Sequence, residues 1–106
     1  MTEPAYARVA PLTDVPVNSM RGFTIEGRSV LVCHTAQGVY ALDNRCTHGD
    51  ACLDEGRLRG VRVICPLHGG SFDCRSGAVL GAPASAPLAS HATRIVNGWI
   101  EVALPG

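Results

Sequence analysis

Two short segments, Cys46-Thr47-His48 and Cys65-Pro66-Leu67-His68, flank the 16 residues Gly49 to Ile64, and each offers one thiol and one imidazole. Together they constrain the chain more than any other feature, because a metal centre held by all four must be assembled from both arms. Zinc sites usually pair like with like, Cys with Cys at two to four intervening residues and His with His at three to five. Here each arm is mixed. Mixed arms suit a two-iron, two-sulfur cluster in which one iron takes both cysteines, the other takes both histidines, and two sulfides bridge them. A structural zinc module is the alternative for the same four residues, distinguishable by colour and metal content.

Around the arms, short apolar or alternating runs separated by turn residues dominate, and no stretch has the period of an amphipathic helix. The chain reads as all-β, a small antiparallel β sandwich or barrel. Strands are expected over Tyr6 to Ala10, Gly22 to Glu26, Ser29 to Thr35 and Val39 to Asp43, punctuated by Gly27-Arg28 and Ala36-Gln37-Gly38. Val61 to Ile64 runs into Cys65 and Ser71 to Cys74 leaves the second arm, so that arm sits at a hairpin-like tip to which Gly69 and Gly70 give backbone freedom. Arg75 to Ala78 holds a Ser-Gly turn. Ala89 to Val96 and Trp99 to Leu104 flank Asn97-Gly98, a two-residue hairpin signal; Ile100, Val102 and Leu104 share a face, and Trp99 is expected buried at the strand start.

At 106 residues the chain accommodates one domain with its own core. Nine arginines and nine Asp or Glu balance, with no lysine, so there is no cationic surplus for phosphate backbones and nucleic acid is not an expected partner. No apolar run approaches the length that crosses a bilayer, and MTEPAYARVA has neither a positive start nor an apolar export core, so no membrane association and a soluble, cytoplasmic protein are expected. Five cysteines are odd in number; Cys33, Cys52 and Cys74 show no paired framework, which suits a reducing compartment. Cys33 and Cys74 read as small core residues. His34 and His91 fall within expected strands, away from the arms, and read as structural or surface residues.

The wording CTHGD and CPLHGGSFD, together with LDEGRLRG (Leu53 to Gly60) and GAPASAPL (Gly81 to Leu88), resembles the small Rieske ferredoxins that serve bacterial aromatic-ring dioxygenases. Roughly the central half of the chain carries the resemblance. It implies a cluster-binding subdomain, residues 44–85, inserted into a basal β subdomain of residues 1–43 and 86–106, with LDEGRLRG as the loop between the arms and GAPASAPL as a proline loop beside the cluster. It further implies one Rieske-type [2Fe-2S] cluster with Cys46 and Cys65 on an inner iron and His48 and His68 on an outer one. His48, His68, Gly49, Pro66, Leu67 and Pro83 would then form a small docking rim suited to brief encounters. Arg45, Asp50, Asp54, Glu55, Arg57, Arg59 and Arg62 border the first arm and either orient a partner or form a solvated surface.

The function implied is that of a monomeric, non-catalytic carrier taking single electrons from an NAD(P)H-dependent flavoprotein reductase to a terminal Rieske oxygenase. An oxygenase itself would need a second iron held by two histidines and a carboxylate. Beyond the cluster ligands only His34 and His91 remain. Members of this family are often more acidic, so the neutral balance is a departure. The small subunit of a nitrite-reductase-like system is the alternative within the same family; a regulatory iron-sulfur protein would need a signalling extension or nucleic-acid surface. Respiratory Rieske proteins, which resemble the motif, carry a disulfide between the ligand loops where this chain has Ala51 and Leu67, and a serine and a tyrosine hydroxyl toward the cluster where it has Gly70 and Phe72. The oxidised cluster's formal charge is zero and the reduced one's minus one, against minus two at the start for an all-cysteine cluster, so histidine ligation raises the potential. Without the two hydroxyl donors, the expected potential is near the low end of the Rieske range, on the order of −150 mV.

Overall fold

Strand β3 (Arg28–Thr35) carries four consecutive buried residues, Val30, Leu31, Val32 and Cys33, and so has to be covered on both faces. The structure, a computed structural model describing residues 5–47, 51–67 and 69–104, provides both covers. β3 is paired antiparallel with β2 (Ser19–Ile25) and β4 (Gly38–Asp43), and β4 with the short β9 (Ser90–His91), giving a middle sheet of order β2-β3-β4-β9. Alternate residues of this sheet divide between two cores, as the two-residue side-chain period of a strand requires. Val30, Val32 and Ala41 join Val15, Ile100, Val102 and Leu104 on one side. Leu31, Cys33 and Leu42 join Cys46, Leu53, Val63, Cys65, Phe72 and Cys74 on the other.

The first core is closed by a three-stranded sheet in which β1 (Tyr6–Pro11) and β10 (Thr93–Val96) flank β11 (Trp99–Ala103). Ile100 and Val102 point inward from β11 and are fully buried, each contributing about 1.5–3 kcal/mol relative to exposure. Between β10 and β11 the turn Asn97-Gly98 has φ of 50° and 79°, the two positive values that this pair of residues favours in a tight hairpin. The second core is closed by an antiparallel sheet of β5 (Arg57–Arg59), β6 (Arg62–Ile64), β7 (Ser71–Asp73) and β8 (Val79–Gly81). Leu58, Val63 and Phe72 are partners across this ladder on its inner face.

Among the described residues the helical structure is two three-residue 3-10 turns, Leu12–Asp14 and Leu53–Glu55, so the chain is all-β with antiparallel sheets as expected. Several details differ from the sequence reading. The segment Leu53 to Gly60, read as a loop, contains a 3-10 turn and β5; Val79–Gly81 is a strand as well. The strand expected over Ala89 to Val96 is two, β9 and β10, which pair with different sheets. Trp99 is half-buried rather than buried: it opposes Pro11 at the end of the β1 ladder, and the Arg8 guanidinium lies over its ring at 5.1 Å from the centroid. No helix among the described residues is long and apolar enough to cross a membrane.

Candidate metal centre

The first arm is set by Asn44, a buried side chain that sequence reasoning passed over. Its Nδ2 donates to Ser29 Oγ (3.1 Å) and Asp54 Oδ1 (3.2 Å), and its Oδ1 accepts from the Asp54 N–H (3.0 Å). The Leu53 N–H donates to the Asn44 carbonyl at 2.7 Å, so the 3-10 turn at Leu53–Glu55 is bound to the end of β4. Beyond this clamp the chain pairs with itself: Arg45 bridges Cys52, and the Cys46 N–H donates to the Ala51 carbonyl at 2.9 Å. Cys46 thus begins a closed loop. Gly22 is required for this packing, since a Cβ there would lie 2.6 Å from Asp54 Oδ2 and 2.9 Å from Asn44 Nδ2. An asparagine two residues before Cys46 is the signal that could have marked the clamp, because its amide can bind the backbone as a turn does.

The second arm is the hairpin-like tip that the sequence implied. Ile64 and Ser71 are the last ladder pair of β6 and β7, and the Cys65 N–H donates to the Gly70 carbonyl at 2.7 Å. Gly56 supports the tip from below: a Cβ there would sit 1.9 Å from the Ile64 carbonyl oxygen. A third loop lies against both arms. Thr47 Oγ1 donates to the Ala86 carbonyl at 2.7 Å, and Ala84 is buried in the core that also holds Cys46 and Cys65.

Cys46 and Cys65 are 4% and 3% exposed, and their thiols are hydrogen-bonded to each other although they come from different loops. Burial pushes the Cys65 thiol up from its ordinary range; the Leu67 N–H directed at the sulfur opposes this, and the Cys46 thiol adds to it. Two soft donors side by side, with an N–H aimed at one sulfur, suit a site that takes a thiophilic metal. None of the five cysteines is in a disulfide. Of the four expected ligands the structure therefore brings two together; His48 and His68, with Gly49 and Asp50, lie outside the described residues. Pro66 and Leu67 are exposed beside Cys65, Leu67 at 44%, and Pro83 is half-buried. An open groove of about 890 Å³ runs from Arg28 and Asp43 to Cys46, Thr47 and Leu88.

The remaining candidates are placed elsewhere. His34 Nδ1 lies 2.7 Å from the Val15 carbonyl oxygen, and His91 Nε2 lies 2.9 Å from Asp43 Oδ1. Cys33 and Cys74 are fully buried, and Cys52 is exposed. Of the charged residues bordering the first arm, Asp54, Arg57, Arg59 and Arg62 are exposed, and Asp54 accepts a hydrogen bond from Asn44.

Cys46 and Cys65, brought together from the two mixed Cys/His arms of a small all-β protein, fit the thiolate half of a metal centre. The Rieske [2Fe-2S] domain family matches residues 5–92, and the chain belongs to that family. It is similar to the ferredoxin component of the naphthalene 1,2-dioxygenase system of Pseudomonas aeruginosa, 37% identical over 104 residues that cover 98% of this chain and 99% of the relative. Its fold matches the ferredoxin of carbazole 1,9a-dioxygenase from Nocardioides aromaticivorans IC177 with a TM-score of 0.89 and 33% identity, covering 93% of this chain and 97% of that one. It matches equally, at a TM-score of 0.89 and 29% identity over 95% of this chain and 94% of the other, a chain from the complex of reduced oxygenase and oxidised ferredoxin in carbazole 1,9a-dioxygenase. The cofactor is accordingly a Rieske-type [2Fe-2S] cluster, the chain is an electron-carrying ferredoxin, and the zinc alternative falls away.

Proposed function

We propose that this ferredoxin serves an aromatic-ring dioxygenase system, taking single electrons from an NAD(P)H-dependent flavoprotein reductase and delivering them to a terminal Rieske oxygenase. The observation that carries this reading is the buried Cys46–Cys65 contact lying directly beneath an exposed, partly apolar tip, Pro66 and Leu67. A cluster held there supplies one-electron chemistry near the surface, where a partner can approach it. Cys46 and Cys65 would hold the inner iron and His48 and His68 the outer one. The chain acts without catalysis of its own, and the substrate is chosen by the oxygenase.

The same reading divides the chain into a basal subdomain, residues 1–43 and 86–106, and a cluster-binding subdomain, residues 44–85, and takes it as a cytoplasmic monomer with a potential on the order of −150 mV. The test is reconstitution with the reductase and oxygenase encoded beside this chain. Aromatic dihydroxylation driven by NADH or NADPH should require all three proteins. Full turnover without this chain, or substrate oxidation by this chain alone, would contradict the proposal.

A further inference from the structure

Six of the nine arginines fall into two contrasting sets. Arg8 and Arg94 converge on Glu101, at 3.7 and 2.7 Å, and lie over the Trp99 and Tyr6 rings; Arg75 chelates Asp73 at 2.8 and 3.0 Å. These guanidinium groups are occupied within the fold. On the sheet beside the second arm the situation differs. Arg57 pairs with Ile64 and Arg59 with Arg62, so all three arginines project from the outer face, while Leu58 and Val63 alternate onto the inner one. All three are exposed, and among the described residues nothing hydrogen-bonds or ion-pairs with Arg57 or Arg59. Arg62 reaches only Ser71 Oγ, at 2.7 Å.

Arg59 directly opposite Arg62 is an unfavourable arrangement for a ladder, since like charges facing each other across strands repel. Departures of this kind from local preference concentrate at functional sites. The face also has a direction. Arg57 and Ile64, with Glu55, adjoin Cys65 and Pro66 around a recess at the base of the second arm, so the arginine-bearing face begins beside the Cys65 thiol. Arg57 and Arg59, two positions apart on one strand, have backbones about 6–7 Å apart and share a face. Guanidinium forks match carboxylates two oxygens at a time.

We infer that the outer face of β5 and β6, carrying Arg57, Arg59 and Arg62, docks a carboxylate-rich patch on the protein that exchanges electrons with this chain. The inference rests on the carrier reading and adds the charge of the surface its partner presents. Positive charge concentrated beside the exchange point, in a protein whose charges sum to zero, steers an acidic partner onto the cluster-bearing end.

The test uses the purified holoprotein, reduced anaerobically with dithionite and freed of excess reductant, mixed in stopped flow with ferricyanide or hexaamminecobalt(III). Each acceptor takes one electron from the reduced cluster, and their charges are opposite. At low ionic strength the R57Q/R59Q/R62Q variant should lower the ratio of ferricyanide to hexaamminecobalt rates about tenfold relative to wild type, the difference fading in high salt. R57K/R59K/R62K should keep the wild-type ratio. Poly-L-glutamate should slow ferricyanide oxidation of wild type and not of the glutamine variant. Equal ratios in wild type and the glutamine variant, with intact clusters in both, would overturn the inference. So would protection by a DNA oligonucleotide with none by poly-L-glutamate. A protein whose cluster cannot be reduced and reoxidised would instead sink the carrier reading itself.

Discussion

The thiols of Cys33 and Cys74 are hydrogen-bonded to each other inside the core where the middle sheet meets the sheet of the ligand arms. Cys33 comes from β3, and Cys74 directly follows β7, where its N–H donates to the Val61 carbonyl at 2.8 Å. The hydrogen bond to Cys74, and then burial, push the Cys33 thiol far up, so it stays protonated at any pH the protein meets. We read this pair as packing and propose the Cys46–Cys65 pair as the donor set. Replacing one member of each pair separates the two roles. Cys33→Ala should cost about 1–2 kcal/mol, a Tm loss of roughly 5–10 °C, and leave the cluster's paramagnetic signal unchanged. Cys46→Ala or Cys65→Ala should abolish the signal. Cluster loss in purified, folded Cys33→Ala would contradict this division.

Gly70 and Phe72 occupy the places where high-potential relatives present hydroxyls. Phe72 is fully buried in the core shared with Cys46 and Cys65, and a Cβ on Gly70 would lie 3.1 Å from the Ala84 nitrogen and 3.2 Å from its Cβ. A serine fits only if the loop at Ala84 gives by a few tenths of an ångström. With that accommodation, Gly70→Ser combined with Phe72→Tyr should raise the midpoint potential by roughly a hundred millivolts, a fraction of the Rieske span. Protein-film voltammetry would read it, and an unchanged or lowered value with the cluster intact would refute the tuning argument.

Gly56 stands against the carbonyl of the residue preceding Cys65. Gly56→Ala forces its Cβ into the Ile64 oxygen and should cost about 3 kcal/mol or more, with iron content falling well below two per chain. Gly60→Ala is the control: φ there is +61°, nothing lies within 4 Å, and the cost should be about 1–2 kcal/mol of backbone strain with full iron content.

Asp73 gives a pH dependence. Hydrogen bonds from the Arg75 guanidinium hold its carboxyl below the usual carboxylate range. A carboxylate whose pKa is lower folded than unfolded adds stability that is complete above the unfolded value of about 3.9 and disappears as pH falls through the folded value. The Tm difference between wild type and Asp73→Asn should therefore be constant from pH 7 to pH 5 and shrink below pH of about 4. A gap that widened on acidification would have the wrong sign.

Strands β1 to β4 and β11 were legible because each is long enough to show a run or an alternation, and Asn97-Gly98 marks its own turn. β5 and β8 were not. Three residues carry too little period to read, and each exists because of a partner elsewhere: Arg57 because Ile64 lies across the Gly60 turn, Val79 because Phe72 does. Ala89 to Val96 looked continuous because no residue type announces that a chain is leaving one sheet for another. At the site, Cys46 and Cys65 were legible from spacing, since ligand chemistry restricts residue type. Asn44 and the Cys33–Cys74 contact were hidden, because packing between distant segments leaves no local pattern.

Electron paramagnetic resonance of the dithionite-reduced protein tests most directly that Cys46, His48, Cys65 and His68 share one cluster. A rhombic signal with an average g well below that of all-cysteine clusters, lost in Cys46→Ala and in His68→Ala, is the predicted result. An all-cysteine-type signal, or a colourless, silent protein holding stoichiometric zinc after anaerobic preparation, would contradict it.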